Sequence, residues 1–268
     1  MEGEIVIVRG GGDIATGTIQ RLHRSGFRVL VLEIEKPTTI RRTVAVSTAL
    51  YNKEYKIEDF KAVKCENELD IFLTWEKDNV PVVVDPKGDY IDIFKPNYLV
   101  DAILAKKNIG FTKLEAIGKI ALGPGFIAGK DADIVIETNR GHNLGRLVFE
   151  GEAEENTGIP GIIGGYTTER VIYSESSGEI EHIKKLGDIV EQGEVIAKIG
   201  DMDVIAKISG VLRGLINEGF EVYKGLKIAD IDPRIKEKDN CFTISDKARA
   251  IGGSVLEAIL ILKNAKNI

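Results

Sequence analysis

Cysteine is scarce: Cys65 and Cys241 are the two in 268 residues. Two thiols do not make a disulfide framework, so nothing points to an oxidising compartment. Aromatic residues are few, 6% of the chain, which leaves little material for the stacking platforms of a single-stranded nucleic-acid binder. Excess positive charge is missing too. A formal charge of -6 argues against a large phosphate-backbone footprint. No apolar stretch approaches the roughly 20 residues of a membrane span. The first apolar run opens at Glu4, which leaves no room ahead of it for a signal peptide. The expectation is a cytoplasmic protein with no nucleic-acid and no membrane partner. No C-x-x-C pair, zinc-spaced His/Cys cluster, Walker A string or Ser-His-Asp order stands out, so no metal site is expected.

What is present is core and turns. Hydrophobic residues make up 43% and glycine contributes 29 positions. The length suits one large domain or two ordinary ones. The run "EIVIVRG" (4–10) is β-branched and apolar, as in a parallel strand buried on both faces. "IATGTIQRLHRSG" follows as a helix with Ile14, Ile19 and Leu22 on one face and Gly26 as its stop. "FRVLVLE" (27–33) completes a βαβ opening. "PVVVDPKG" (81–88), "NYLVDAILA" (97–105) and "KIALGPG" (119–125) read as further strands. The stretch 38–80 mixes β-type runs ("TVAVST", "FKAVKC") with a helical one, "ENELDIFLTWEKD". The economical reading is a Rossmann-like parallel sheet domain over 1–138.

Near residue 138 the texture turns rich in glycine and turns, and a β-rich domain is expected over 139–240. It holds an internal repeat. "LGDIVEQGEVIAKIGD" (186–201) aligns with "EGFEVYKGLKIADID" (218–232), matching Gly187 with Gly219, Val190 with Val222 and Gly193 with Gly225. A hairpin turning at Gly200-Asp201 lies between them. Over 168–232 this repeat resembles the barrel-sandwich hybrid of biotinyl and lipoyl domains. Its tip, "GDMD", lacks the lysine that carries their swinging arm. Residues 241–268 form a C-terminal helix capped by Ser245, with apolar positions 251, 255, 259 and 262, which returns to the first domain. The pair Gly252-Gly253 inside it points to a close approach by another backbone.

The candidate site starts at "GGGDIATG". Gly10, Gly12 and Ala15 fit G-x-G-x-x-G/A between a strand and a helix, and Gly11 completes the turn. Such a turn cradles phosphate on free N–H groups and the positive end of the helix dipole. Glu33 lies where an acid takes the ribose hydroxyls of a dinucleotide. Asp13, however, stands where its carboxylate would cap the helix and compete with phosphate. Arg41 and Arg42 in "KPTTIRR" suit an anionic group better than a plain ribose. Gly123 and Gly125 form a second glycine loop at a strand end, as apt to be a tight turn as a ligand contact. "NRGHNLGR" offers His142 and Arg146 for anion or pterin-edge recognition. Cys241, ahead of a helix start and near Lys247 and Arg249, is a candidate for a thiolate that carries sulfur or selenium; the plainer reading is an inert buried cysteine.

The strings "IVRGGGDIATG", "VLEIEKPTTIRRTVA", "VDAILAKKN", "LGPGFIAGKD", "ETNRGHNLGR", "NTGIPGIIGGY" and "NCFTISDKARAIGG" resemble the YqeB-type accessory family of the selenium-dependent molybdenum hydroxylase system, over nearly the whole chain. The N-terminal half is also similar to the Rossmann-like domain of XdhC-type factors. The resemblance implies a maturation factor that binds a phosphate-bearing small molecule, either a molybdopterin-type cofactor or a nucleotide. Its partner would be a client molybdenum hydroxylase. It leaves open whether the chain is an enzyme and whether it forms a homo-oligomer. An NAD(P)-dependent oxidoreductase and a non-catalytic chaperone are the competing readings.

Overall fold

The computed structural model describes residues 3–158 and 161–265. Ile159 and Pro160, inside one of the strings quoted above, lie outside the described residues. The chain forms two compact units, and neither is continuous. The first takes Met1–Pro37, Ala45–Thr157 and Ile244–Ile268; the second takes Thr38–Val44 and Gly158–Thr243.

In the first unit, β-branched runs give β1 (Ile5–Arg9) and β2 (Arg28–Glu33), joined by α1 (Asp13–Arg24). Then follow α2 (Ala49–Asn52), a hairpin of β3 (Glu54–Ile57) and β4 (Phe60–Lys64), α3 (Glu68–Glu76), β5 (Val80–Val84), α4 (Asp89–Phe94) and β6 (Tyr98–Asp101). The remaining strands are β7 (Gly118–Leu122), β8 (Ile127–Ala128), β9 (Ile134–Ile136), β10 (Leu147–Val148) and β11 (Gly151–Glu152). Nine of these make one sheet in the order β10-β9-β7-β6-β1-β2-β5-β4-β3. Alternation decides which side chains go where. Val6, Val8, Val29 and Val31 join one core layer with Ile19 and Leu22 of α1, whereas Ile7, Leu30 and Leu32 join the opposite layer with Ile71 of α3 and Ile91 of α4. Each fully buried aliphatic side chain contributes about 1.5–3 kcal/mol.

Two expectations about fold are corrected. The large sheet is mixed, not a parallel Rossmann-like sheet: β3 runs antiparallel to β4 at one edge and β10 antiparallel to β9 at the other. A two-residue link (Glu58 and Asp59) between β3 and β4 permits only a hairpin, since a parallel return needs a crossover of a dozen residues or more. Likewise "TVAVST" is not a strand but two short 3-10 turns at 42–44 and 46–48.

The second unit holds β12 (Val171–Tyr173), β13 (Gly178–His182), β14 (Ile189–Val190), β15 (Val195–Ile199), β16 (Met202–Ile205), β17 (Gly210–Leu215), β18 (Glu221–Val222) and β19 (Lys227–Asp232). They form two four-stranded antiparallel sheets, β12-β19-β17-β14 and β16-β15-β13-β18, around one apolar core. This pair of sheets replaces the expected barrel of biotinyl or lipoyl type. The repeat does not pair within itself. The short β14 of the first copy pairs with β17, which lies between the copies, and the short β18 of the second pairs with β13, which precedes the first. The hairpin turn falls at Gly200-Asp201, between Ile199 and Met202, with Gly200 at φ 57°.

The C-terminal helix α5 (Asp246–Ala265) belongs to the first unit and packs on α1, β7 and β9. Ser245 Oγ accepts the Ala248 N–H at 3.2 Å, which makes Ser245 its N-cap. A side chain on Gly252 would collide with the carbonyl of Gly17, and one on Gly17 with the carbonyl of Ala248. These two glycines set how closely the helices cross. Gly253 faces open space.

Candidate functional site

The glycine turn leaves β1 at its carboxyl end, and hydrogen bonds hold it on every side. Gly10 has φ 94°, and a side chain there would lie 3.0 Å from the backbone of Ala102. Its N–H donates to the Leu32 carbonyl at 2.8 Å. The Gly11 N–H donates to Glu33 Oε2 at 2.8 Å, while Glu33 Oε1 accepts the Ile34 N–H at 2.8 Å. Glu33 is thus not presented to a ribose; it holds the turn. Burial pushes its carboxyl up, and the bonds from Ile34 and Gly11 oppose that shift. From the other side, the Ser47 N–H donates to the Gly11 carbonyl at 2.9 Å. Thr16 Oγ1 donates to the Gly12 carbonyl at 2.9 Å and accepts the Val46 N–H at 3.0 Å.

Asp13 does not cap α1. The N-cap is Gly12, extended at φ -69° and ψ 177°, which has no side chain of its own to bond the helix start. Asp13 is the first helical residue. The first-turn N–H groups of α1 therefore lack an intrahelical acceptor, as at any helix N-terminus.

Buried acids recur at the carboxyl ends of the strands. Asp85, beyond β5, accepts N–H groups from Gly88, Asp89 and Tyr90 at 2.8–3.0 Å and so caps α4. Asp101, ending β6, pairs with the buried Arg9 at 2.8 Å; burial pushes it up and Arg9 opposes. Glu137, beyond β9, accepts the Asn139 N–H at 2.6 Å and the Glu154 N–H at 2.7 Å. Among the described residues, no group of three His, Cys, Asp or Glu is arranged to hold a metal.

Lys247, in the first turn of α5, comes within electrostatic reach of Asp13 and Glu137. Burial pushes its amine down and the guanidinium of Arg140 adds to that, while Asp13, Glu137 and Asp246 oppose. Arg140 itself makes a two-pronged bond to Asp246, at 2.8 and 3.1 Å. Lys247 was read in the sequence only as a neighbour of Cys241. The one signal that marks it is a lysine two residues after a serine N-cap, where a helix favours acids.

The other expected contacts scatter. His142 and Arg146 are exposed. Arg146 lines a cleft of about 340 Å³ with Glu137, Asn143, Phe149 and Glu154; His142 does not line it. Gly123 (φ 78°) and Gly125 (φ 98°) are structural, because side chains there would press on Thr138 and on the Lys107 backbone. Arg41 and Arg42 belong to the second unit. Arg42 Nε donates to the Leu215 carbonyl at 2.7 Å and Arg41 Nη2 to the Asn240 carbonyl at 3.1 Å. Cys241 also belongs to that unit and is buried. Burial pushes its thiol up, outweighing Arg41 and Arg213, so the expectation of a thiolate carrier is corrected.

No family model matches the chain. Over 260 residues it is 49% identical to the uncharacterized protein YqeB of Escherichia coli (strain K12), an alignment that covers 97% of this chain. It covers 48% of YqeB, so the chain spans about half the length of that curated relative. The resemblance to YqeB is thereby supported along nearly the whole chain; a link to selenium-dependent hydroxylases is not part of that finding. Among solved structures, the chain is similar to the ectoine utilization protein EutE (DoeB) from Ruegeria pomeroyi, at 10% identity and a TM-score of 0.26 with 86% of each chain covered. It is also similar to an aspartoacylase family protein from Mesorhizobium loti, at 13% identity and a TM-score of 0.27, covering 86% of this chain and 85% of that one. A succinylglutamate desuccinylase from Silicibacter sp. TM1040 gives 14% and 0.25 over the same shares. Likeness at that level assigns no chemistry to this chain.

The expected role in maturing a molybdenum hydroxylase is corrected, together with its oxidoreductase and chaperone alternatives. The relative that matches almost the whole chain is uncharacterized.

Proposed function

We propose that the first unit binds a small phosphate-bearing molecule at the start of α1. The observation that carries this reading is the conjunction of Gly12 as a bare N-cap with the Lys247 amine near Asp13. A helix start with glycine at the N-cap offers N–H groups and partial positive charge to an anion. Since Glu33 already takes the Gly11 N–H, the anion meets the first turn of α1 rather than the middle of the glycine turn. Asp13 then shares Lys247 with the ligand and limits the charge the site accepts.

Titration calorimetry with pyrophosphate and with adenosine monophosphate tests this. Gly12 has φ -69°, which any residue adopts, so Gly12→Val blocks the helix start at a folding cost of about 1 kcal/mol. Binding by the native chain that Gly12→Val abolishes is the expected result. No heat from either ligand, or the same affinity in both proteins, overturns the reading.

A further inference from the structure

Helix α3 is apolar on two sides, and the sheet covers one of them. Ile71 and Trp75, one turn apart, join the core layer on the sheet. Leu69, Phe72 and Leu73 follow the spacing of a second stripe, and they are 66%, 47% and 43% exposed. A helix that is hydrophobic all round is normally buried all round. Phe72 is also held in place. Its ring centroid lies 5.8 Å from that of Trp75 and 5.6 Å from that of Phe94, which ends α4. Rings packed at such distances attract one another, so this exposed aromatic is preorganised by neighbours that reach the core. Anchored aromatics of this kind carry much of the energy of an interface.

The apolar strip continues across the same layer. Ile93 of α4 is 53% exposed. Beyond α4, the chain 103–117 packs on the same core through Phe111, Leu114 and Ala116. A side chain on Gly88, just before α4, would meet Leu114. α4 therefore lies between α3 and 103–117, where Ile109 and Ile117 are exposed in turn. Charge divides the strip. α3 carries Glu68, Asp70 and Glu76 and no Lys or Arg. Around α4, Lys87 and Lys95 balance Asp89 and Asp92. The chain 103–117 carries Lys106, Lys107 and Lys113, all exposed, against Glu115. Among the described residues, no ion pair within the chain occupies those three lysines or Glu68 and Glu76.

We infer that a second copy of the chain covers this face, about a two-fold axis running along α4. α3 of each copy lies on 103–117 of the other, acid to base, with apolar side chains between them. An isologous interface must be self-complementary. A strip that is acidic on one flank, balanced in the middle and basic on the other flank meets that condition. A partner of uniform charge would match one flank and be repelled by the other.

Sedimentation equilibrium of the full chain across a dilution series tests this, with two charge-reversed variants. One combines Glu68→Lys with Glu76→Lys; the other combines Lys106→Glu with Lys113→Glu. All four side chains are exposed, so the fold does not depend on them. The native chain is expected to be a dimer. Each variant alone should dimerise about 100-fold more weakly, because like charges then meet in both contacts. An equimolar mixture of the two variants should regain the native affinity, because each reversed flank meets its reversed complement. A native chain that stays monomeric overturns the inference and leaves the face to a partner of another sequence. Native affinity in either variant alone, or no recovery on mixing, overturns it too. Carbodiimide coupling of isotope-labelled with unlabelled native chains is a second readout that needs no variant. It should join Glu68 or Glu76 of one copy to Lys106 or Lys113 of the other. The absence of mixed-isotope links between these flanks overturns the inference.

Discussion

Both units bury carboxylates and, apart from Asp101 of the first unit with its Arg9 partner, they satisfy them in different ways. In the first unit Glu33, Asp85 and Glu137 are held by main-chain N–H groups of the loops that follow their strands. In the second, Asp230 and Asp232 on β19 are held by arginines. Asp230 pairs with Arg170 and Arg213, and Asp232 pairs with Arg213 at 3.4 Å and with Arg234 at 2.8 Å. A main-chain partner fixes the shape of one loop and needs no counter-charge. An arginine partner ties strands together, yet it must itself be neutralised, so removing one member strands the other. The first arrangement shapes a site; the second staples a sheet.

The comparison can be broken most forcefully at Asp230. Asp230→Asn leaves Arg170, 8% exposed at its side chain, without its acid. Removing one partner of a buried pair costs about 3–5 kcal/mol. Amide exchange in β17 and β19 should quicken by about two orders of magnitude or more. An unchanged exchange rate would show that these arginines add nothing to the sheet.

Glu33→Gln should cost less, about 1–3 kcal/mol, because one of two N–H groups loses its acceptor. Urea unfolding followed by Trp75, the chain's one tryptophan, reads this unit. The substitution should also change the pH profile. Burial raises the folded pKa of Glu33, so its contribution is full below the unfolded value of about 4.3 and lost as pH rises through the folded one. Gln removes that loss, and a profile of unchanged slope would mean that Glu33 is not desolvated.

The smallest effect belongs to Asp59, on the surface of the same unit. Its bond to Arg24 at 2.7 Å holds it down at about 2. Its sign is opposite: the contribution is present above the unfolded value of about 3.9 and lost as pH falls towards 2. Solvent screening limits Asp59→Asn to under about 1 kcal/mol. A larger loss would place this exposed pair among the buried ones.

Local chemistry was the legible part of the sequence. The buried strands β1, β2 and β5, the helix ending before Gly26, the Ser245 cap and the hairpin at Gly200-Asp201 all follow from residue type and spacing. So does the approach at Gly252, although its partner Gly17 is 235 residues away (252 − 17) and nothing local points to it. Non-local pairing was not legible. Arg41 and Arg42 look like ligands for an anion, and only the fold sends them to the Asn240 and Leu215 carbonyls. Glu33 occupies the position of a ribose acid, and the same carboxylate can bond the turn instead. The antiparallel edges and the partners of β14 and β18 depend on strand order, which side-chain periodicity does not encode.

The division of the chain also bears on its synthesis. The first unit begins at the N-terminus and ends with α5, the helix that covers Gly17. On a ribosome the sheet strands emerge first, and α1 waits with its glycine face bare while the whole second unit is translated. At about 5–20 residues per second, the 86 residues 158–243 (243 − 157) hold that surface open for several seconds. The face of α1 that carries Gly17 therefore stays uncovered at least until residues 244–265 have been made.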